Sequence, residues 1–384
     1  MTEPDFTVGI EEEYLLVDRD TRDLPEAAPQ AVHEKCAQAL GERVTEEFLS
    51  AQIEVGTSVC QTIDDARAQL ANMRGTISDI AQQQGLGLVA AATHPFADWK
   101  RQSSTAKDRY DVLSQEMQAV ARRLLTCGMH VHVGIGDDDL RITIMNQLRY
   151  FLPHILALST SSPFWQGRNT GLHSYRLTVF DSMPRSGMPP EFSGWSHYRH
   201  EVDMLKRTKV LSDETKIWWD IRPHPKFPTI EIRICDVCTS LDDALAIASL
   251  CACVTRMLFR LHRRNIGWRR YSQFLLSENR WRAQRYGIAD SLIDFGKGEL
   301  VAFPDLIEEV IDLTQKDAAA LGCEADIRHL RTILETGTSA QRQLDVYRHA
   351  IDSGCDENQA LRDVVDELIR ETSACASQPA KQTA

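Results

Sequence analysis

The chain has 384 residues and a mass of 43.4 kDa, which is enough for a large hydrophobic core in one big domain or two. Its formal charge of -12 argues against a nucleic-acid partner, which requires a basic surface, but not against an anionic substrate bound through divalent cations. With 43% hydrophobic residues, 26% charged residues and a mean hydropathy of -0.31, the composition is that of a soluble globular protein.

The sequence shows no sign of secretion or membrane insertion. No apolar run approaches membrane-spanning length, and the start MTEPDFTVG has neither a basic region nor an apolar signal core, so we expect a cytoplasmic protein with no membrane partner. The ten cysteines are scattered, which favours reduced thiols. Cys235 and Cys238 form a lone CxxC without a second pair at zinc-ribbon spacing, and two ordinary thiols are favoured over a zinc or redox site.

Strands and helices are predicted in alternation along most of the chain. Strand-like runs lie at 6–17, about 46–55, 86–92, 129–135 and 229–235. Helices are predicted after the N-cap Thr62 as far as Gly85, over 107–128, over 137–159 with a bend at Pro153, and after Ser240 as a buried apolar helix that ends in arginines.

Two further regions differ in character. Residues 162–197 are rich in Pro, Gly and Arg and are predicted to be mostly loop, and long ordered loops are usually functional. Residues 300–376 read as short helices that form a layer on the sheet within a single domain over 1–376, followed by a flexible tail at 377–384.

The first strand carries three consecutive glutamates inside an apolar run, TVGIEEEYLLV. Because successive side chains alternate between the two faces of a strand, Glu11 and Glu13 share one face. Glu12 falls on the apolar face, where a buried salt bridge or a local bulge would explain it. The face with two carboxylates is either a solvated exterior or a cation site, and one strand does not decide between them.

Three later strands show the same division into an aliphatic face and an ionisable face. Glu54 in AQIEVG, His130 and His132 in GMHVHVGI, and Glu231 and Arg233 in TIEIRIC lie opposite clean aliphatic positions. A half-exposed strand would also alternate in this way. However, a solvated face normally carries Thr, Ser, Lys and mixed charge, whereas these positions are almost exclusively Glu, His and Arg, which favours a lined cavity.

Carboxylates that share one cavity repel one another strongly unless cations lie between them. The predicted ligand set consists of Glu11, Glu13, Glu54, His130 and Glu231. Oxygen-dominated ligation selects Mg²⁺ or Mn²⁺ over zinc, and magnesium often completes its coordination with phosphate oxygens. Arg233 beside Glu231 would suit a phosphoryl group. The residues therefore indicate nucleotide chemistry, although the sequence has no Walker-type GxxxxGK[ST] and no kinase signature.

The segments GIEEEY, QIEVGT, CGMHVHVGI and TIEIRICD, in that order, resemble the metal-binding strands of the glutamate–cysteine ligases and, more distantly, of the glutamine synthetases. The closest resemblance is to the bacterial type-2 group of carboxylate–amine ligases, of which SPFWQGRNTG and WWDIRPHP are typical, and it runs from about residue 6 to residue 260. It implies an α+β, glutamine-synthetase-like catalytic fold in which a mostly antiparallel β-sheet forms a funnel backed by helices, with ATP entering one mouth and the acceptor acids the other.

The resemblance also implies roles for the metal-binding residues. Glu11 and Glu13 match two glutamates that hold different magnesium ions, and Glu54 matches the glutamate of the second motif. His130 and Glu231 match ligands of the ion that bridges the nucleotide phosphates.

A second set of residues is implied to bind the cosubstrates. His132 and Arg233 match phosphate-contacting positions. Arg168, Arg176 and Arg222 lie in segments typical of the type-2 group, where each is either a clamp for a substrate carboxylate or phosphate, or a surface arginine.

The resemblance implies an ATP-dependent ligase in which Glu231 and Arg233 act directly. A substrate carboxylate attacks the γ-phosphoryl group of ATP, and an amine then attacks the acyl phosphate to give an amide, ADP and phosphate. L-Glutamate and L-cysteine, giving γ-glutamylcysteine, are the simplest substrate pair. Another acid and amine, a magnesium-dependent phosphohydrolase and a nucleotide-sensing binding protein are the alternatives. The resemblance further implies a homo-oligomer such as a dimer.

Overall fold

The computed structural model describes residues 2–26, 29–47, 49–103, 117, 120 and 123–374. Most of the helix predicted over 107–128 and the whole tail predicted at 377–384 lie outside the described residues.

The described strands and helices alternate in the first two thirds of the chain, and helices follow one another after residue 303. The strands are β1 (Val8–Asp18), β2 (Val44–Glu46), β3 (Gln52–Gly56), β4 (Leu86–Val89), β5 (Met129–Gly134), β6 (Phe164–Trp165), β7 (Arg168–Asn169), β8 (Ser186–Gly187), β9 (Trp218–Trp219), β10 (Ile221–Pro223), β11 (Thr229–Ile232), β12 (Ser291–Asp294) and β13 (Glu299–Ala302). The α-helices are α1 (Gln30–Leu40), α2 (Ile63–Gln82), α3 (Asp138–Leu148), α4 (Leu152–Ser159), α5 (Arg176–Phe180), α6 (Trp195–Arg207), α7 (Leu241–His262), α8 (Gln273–Tyr286), α9 (Phe303–Leu321), α10 (Glu324–Thr336), α11 (Ser339–Asp352) and α12 (Glu357–Ser373).

One sheet of seven strands organises the molecule. Its order is β10-β11-β5-β1-β3-β2, and β4 pairs with the last residues of β1. Every pair in this sheet is antiparallel, which confirms the predicted α+β fold with a mostly antiparallel sheet. Strand β10 is an addition to the predicted strands, and β3 begins at Gln52, later than the predicted start near residue 46.

Helix α2 forms where the sequence predicts it, because its first turn is fully capped. The Thr62 side chain accepts a hydrogen bond from the Asp65 amide, and the Asp65 side chain accepts one from the Thr62 amide, which completes a capping box. The helix packs on β1 and β4 and buries Leu70, Met73 and Ile77 against the apolar face of the sheet.

The structure explains Glu12 by a buried salt bridge. The Glu12 carboxylate accepts hydrogen bonds from Arg74 Nη2 at 2.6 Å, from Arg74 Nε at 2.9 Å and from the Tyr14 hydroxyl, and all three side chains are buried. Arg74 also donates to the carbonyl oxygens of Cys238 and Thr239, at 2.8 and 2.7 Å. A carboxylate on the apolar face is therefore tolerated because a bidentate arginine neutralises it.

Helix α7 is the central helix of the core. It begins after Ser240, whose side chain accepts from the Asp243 amide, and nearly all of its side chains are buried. The expectation that no apolar run approaches membrane-spanning length is too strict, because α7 is long and apolar enough to cross a membrane. In this structure 83% of its most apolar 18-residue stretch is buried inside the fold, where α7 packs against α2, α9 and α10.

One predicted helix is divided in two in the structure, and the predicted C-terminal helices pack on the sheet and on α2 and α7. The helix expected over 137–159 is two helices, α3 and α4, and Pro153 stands in the first turn of α4, where a missing amide hydrogen costs no helical hydrogen bond. Among the C-terminal helices, α12 packs on β4 and α2, and α10 packs on α7. The division into a single domain over 1–376 stays a prediction.

Candidate active site

A cavity of about 460 Å³ lies over the polar face of the central sheet. Most of the predicted site residues line it: Glu11, Glu13, Glu54, His130, Arg176, Arg222, Glu231 and Arg233. The alternation of the strands therefore marks a cavity wall and not a solvated exterior.

The strand register brings these side chains together. On β1, Glu11 lies opposite His130 of β5, and Glu13 lies opposite Glu54 of β3. Glu231 on β11 lies opposite His132. Directly opposed side chains in an antiparallel pair are near neighbours, so four strands place their ionisable side chains within reach of one another.

Three groups of side chains bring metal-ligating atoms within 4.8 Å of one another: Glu11, Glu54 and His130; Glu11, His132 and Glu231; and Glu13, Glu47 and Glu54. The resemblance paired His130 with Glu231 on one ion, whereas the structure groups Glu231 with His132 because β5 and β11 align these two residues. His132 Nε2 is buried 3.4 Å from Glu11 Oε1 and has no hydrogen-bond partner among the described residues. Carboxylate oxygens with an available imidazole nitrogen fit a divalent metal ion.

The carboxylates on β1 and β3 differ in charge state. Burial and the nearby Glu54 carboxylate raise the pKa of Glu13 to about 7. Burial, together with Glu47 and Glu11, raises the pKa of Glu54 to about 8. Burial alone would raise the pKa of Glu11 as well, but the hydrogen bond with His130 and the charge interactions with His130 and His132 hold it well below the ordinary value. Mutual repulsion in this acidic group is relieved by either protons or cations.

Glu231 has a different environment, because two arginines neutralise it. Its carboxylate accepts from Arg222 Nε at 2.7 Å, from Arg222 Nη2 at 3.1 Å and from Arg233 Nη1. Burial opposes ionisation of Glu231, yet these arginines hold its pKa well below the ordinary value. Burial and the Arg233 charge lower the pKa of His130 to about 4, so its imidazole is neutral at pH 7 and free to act as a ligand.

Arg176 enters the cavity from the loop region predicted to be functional. It is buried at the start of α5, and among the described residues its guanidinium donates two hydrogen bonds, both long, at 3.3 Å to the Arg233 carbonyl and 3.4 Å to the Ile234 carbonyl. Gly128 lies directly against it, and a Cβ at position 128 would overlap the guanidinium. Phe180 and Met183, from the same region, also line the cavity.

The structure does not bring Arg168 to the cavity. Arg168 is exposed on β7, in a two-stranded hairpin with β6, and is not among the lining residues. By contrast, sequence reasoning missed Glu47, Lys216 and His224, which do line it. His224 accepts amide hydrogen bonds at Nδ1 from Lys226 and Phe227, so its other ring nitrogen carries the proton.

The CxxC cysteines are separate from this chemistry. Cys235 and Cys238 are buried free thiols, and neither belongs to the three metal-capable groups found among the described residues. Burial raises the pKa of Cys235 to about 12, which makes it a poor thiolate ligand.

The fold is shared with solved structures of ligases. A glutamate–cysteine ligase from Francisella tularensis, in complex with AMP, matches with a TM-score of 0.68 at 12% identity over 99% of this chain and 91% of its own. A bifunctional glutathione synthetase from Pasteurella multocida matches with a TM-score of 0.69 at 13% identity, over 96% of this chain and 52% of its own. The fold is therefore that of the glutamate–cysteine ligases.

Sequence similarity identifies the family within that class. The family model described as glutamate-cysteine ligase family 2 (GCS2) matches residues 7–370. A protein of Rhodospirillum rubrum named "Putative glutamate--cysteine ligase 2" is 53% identical over 97% of both chains, and one of the same name from Jannaschia sp. is 52% identical over 95% of this chain and 96% of its own. The chain belongs to glutamate–cysteine ligase family 2 and is a ligase; membership implies ATP and a divalent metal ion.

Proposed function

We propose that the protein joins a carboxylate to an amine through an acyl phosphate at the expense of ATP, with L-glutamate and L-cysteine as substrates and γ-glutamylcysteine as the product. The observation that carries this proposal is the convergence of five carboxylates, three histidines and three arginines in or beside one cavity of a chain from this ligase family.

Mg²⁺ is the metal that the donor set favours. The three metal-capable groups are dominated by carboxylate oxygens and contain no thiolate among the described residues. The residues that would hold the ions are Glu11, Glu13, Glu47, Glu54 and Glu231 with His130 and His132. Bound Mg²⁺ would neutralise charge on the transferred phosphoryl group.

The arginines supply the fixed positive charge of the site. Arg222 and Arg233 hold Glu231 between them, and Arg233 Nη1 also lies 3.4 Å from His130 Nδ1, so Arg233 reaches the middle of the ligand set. We assign phosphate contacts to Arg233. Arg176 has no carboxylate partner within ion-pair distance among the described residues, and we assign it the carboxylate of an amino-acid substrate.

An acyl phosphate must be protected from water until the amine attacks it. Phe180 and Met183, from the region over 162–197, supply apolar surface at the cavity beside Arg176. We assign this region the role of a cover that excludes water from the intermediate.

The experiment that tests the function combines purified protein, ATP and Mg²⁺ with a panel of acids and amines, and reads products by mass spectrometry and phosphate release by a coupled assay. A ligase releases phosphate quickly only when both the acid and the amine are present. Fast release with neither would indicate a phosphohydrolase. Nucleotide binding without any turnover would indicate a sensor.

Two variants make the assay specific to the site. Glu54→Gln removes a carboxylate shared by two metal-capable groups and should abolish product formation. Glu201→Gln makes the same chemical change on exposed α6, where Glu201 contacts His197, and should leave product formation unchanged. Equal activity of the two variants would contradict the proposed site. A product from a different acid and amine would support the proposed ligase reaction but would show that L-glutamate and L-cysteine are not the substrates.

The location and the assembly of the protein are separate proposals, of which only the assembly rests on the family resemblance. We assign the protein to the cytoplasm and to a homo-oligomer such as a dimer, and light scattering after size-exclusion chromatography measures the mass that tests the latter.

A further inference from the structure

A buried carboxylate outside the cavity organises the loop that carries Arg176. Asp236 follows β11 and is fully buried. It accepts hydrogen bonds from the Ser161 amide at 3.0 Å, from Ser162 Oγ at 2.7 Å and from Ser174 Oγ at 2.8 Å. Both carboxylate oxygens are therefore used, and the three serines belong to the segment that leads into α5 and not to the strand that carries Asp236.

One of these serines is bonded directly to Arg176. The Arg176 amide donates to Ser162 Oγ at 3.1 Å, and the same hydroxyl donates its proton to Asp236. Ser162 also bridges Ser174 through the backbone, and the Tyr175 amide donates to the Ser162 carbonyl at 2.9 Å. Tyr175 is thus bonded to the Ser162 carbonyl and Arg176 to the Ser162 hydroxyl, and only the hydroxyl connects the start of α5 to Asp236.

The backbone of Asp236 adjoins the segment that leads into β5, one of the strands that carry the candidate metal ligands. Asp236 forms a backbone bridge with Gly128, whose amide donates to Glu13 at 2.6 Å and whose missing side chain leaves room for the Arg176 guanidinium. Asp236 is also five residues beyond Glu231. A continuous series of hydrogen bonds therefore connects the sheet that carries the acidic residues with the loop that carries Arg176.

We propose that Asp236 is a positioning residue, which fixes Arg176 in the cavity through Ser162. The Arg176 guanidinium makes two long hydrogen bonds and a cation–π contact, 5.2 Å from the ring centroid of Phe180, which belongs to α5 itself. Its position therefore depends on how the backbone at the start of α5 is held. Asp236 itself touches no substrate in this scheme. The inference rests on the proposed function only in that Arg176 is taken to bind an amino-acid carboxylate.

Ser162→Ala is the decisive variant, because it removes only the oxygen that joins Asp236 to the Arg176 amide. We expect the KM for one amino-acid substrate to rise about tenfold, with the KM for MgATP unchanged. Asp236→Asn should have a smaller effect than Asp236→Ala, since an amide can still accept from Ser161 and Ser162 while it donates to Ser174. Ser159→Ala is the matched control, a buried serine that donates to the Leu156 carbonyl and should change neither KM.

A double-mutant cycle separates positioning from general damage. If Ser162 acts through Arg176, Ser162→Ala adds nothing to the KM of the Arg176→Ala variant. Additive effects, or an equal rise in the KM for MgATP, would overturn the proposal even if the protein remains folded.

Failure of the proposed function would be visible separately, as a wild-type protein that forms no amide with any acid and amine. In that case the rate of amide hydrogen exchange in the substrate-free protein tests whether Asp236 and Ser162 position the start of α5. Ser162→Ala should accelerate exchange in the peptide over 162–180, and Ser159→Ala should not. Unchanged exchange in that peptide would reject the proposal.

Discussion

The replacement of Glu231 by glutamine tests the centre of the site. Glu231 is 1% exposed and accepts two hydrogen bonds from Arg222 and one from Arg233. Glutamine keeps the size and one acceptor oxygen, but its amide group faces a guanidinium donor and its charge is lost. We expect the variant to fold, and to lose catalytic activity because both arginines keep their charge while the metal group of Glu11, His132 and Glu231 loses one of its two carboxylates.

The magnitudes follow from these contacts. A hydrogen bond to a charged group contributes about 1.5–3 kcal/mol, against about 1 kcal/mol for a neutral pair, and removing one partner of a buried ion pair costs about 3–5 kcal/mol. Because the Glu231→Gln side chain would retain one good acceptor, we expect a loss of about 3 kcal/mol in the free energy of unfolding. Product formation should fall by about a hundredfold or more, as for the loss of a group that supports a metal site.

The assay measures amide product at saturating Mg²⁺ and ATP, with urea unfolding of the same preparation to correct for the folded fraction. Glu201→Gln on α6 serves again as the exposed control. Near-normal turnover of folded Glu231→Gln protein would refute the reasoning, because it would show that neither the metal group nor the arginine pair requires this charge.

Three other expected outcomes concern the support of the site and its ionisation. Glu12→Gln should lower the free energy of unfolding by about 3 kcal/mol in urea titrations, because it breaks a fully buried ion pair, while the activity per folded molecule stays unchanged. Gly128→Ala should raise the KM for an amino-acid substrate, measured with MgATP held constant, because the added Cβ displaces the Arg176 guanidinium. The folded pKa values of Glu13, about 7, and Glu54, about 8, lie above the ordinary carboxyl value, so the metal-free protein should lose stability as the pH rises through them. Mg²⁺ should restore this stability by an amount that grows with pH, which thermal unfolding with and without a chelator between about pH 6 and pH 9 measures; a constant Mg²⁺ effect would contradict these assignments.

The strand residues of the site were predictable because a strand has a period of two. Once β1 and β3 are recognised, alternation alone assigns Glu11, Glu13 and Glu54 to the face opposite the core, and the structure places all three at one cavity. The pairing of Glu231 with His132 could not be predicted from alternation, since it depends on the register between β5 and β11.

Loop residues could not be assigned by the same reasoning. Glu47 lies between β2 and β3, seven residues before Glu54, where no periodicity relates a side chain to the cavity. Arg168 and Arg176 lie in one Pro- and Gly-rich segment and are equivalent by composition, yet one is exposed on β7 and the other is buried in the cavity. What separates them is the bond between the Arg176 backbone and Ser162, which itself depends on Asp236, a residue far along the chain.

The three consecutive glutamates of β1 show how a fold can distinguish a structural charge from a functional one. Glu12, on the back of the sheet, has a permanent cation in Arg74, held by two backbone carbonyls, so its charge is neutralised within the fold. Glu13, on the front, faces Glu54, and both carboxylates are buried and have raised pKa values. Their mutual repulsion is relieved only when a proton or a metal ion binds. An arginine bonded to Glu13 and Glu54 as closely as Arg74 is to Glu12 would stabilise the protein but would take the place of an exchangeable cation. The repulsion on the front face therefore lowers the stability of the metal-free protein but favours metal binding. The buried ion pair between Glu12 and Arg74, directly behind it, stabilises the same strand.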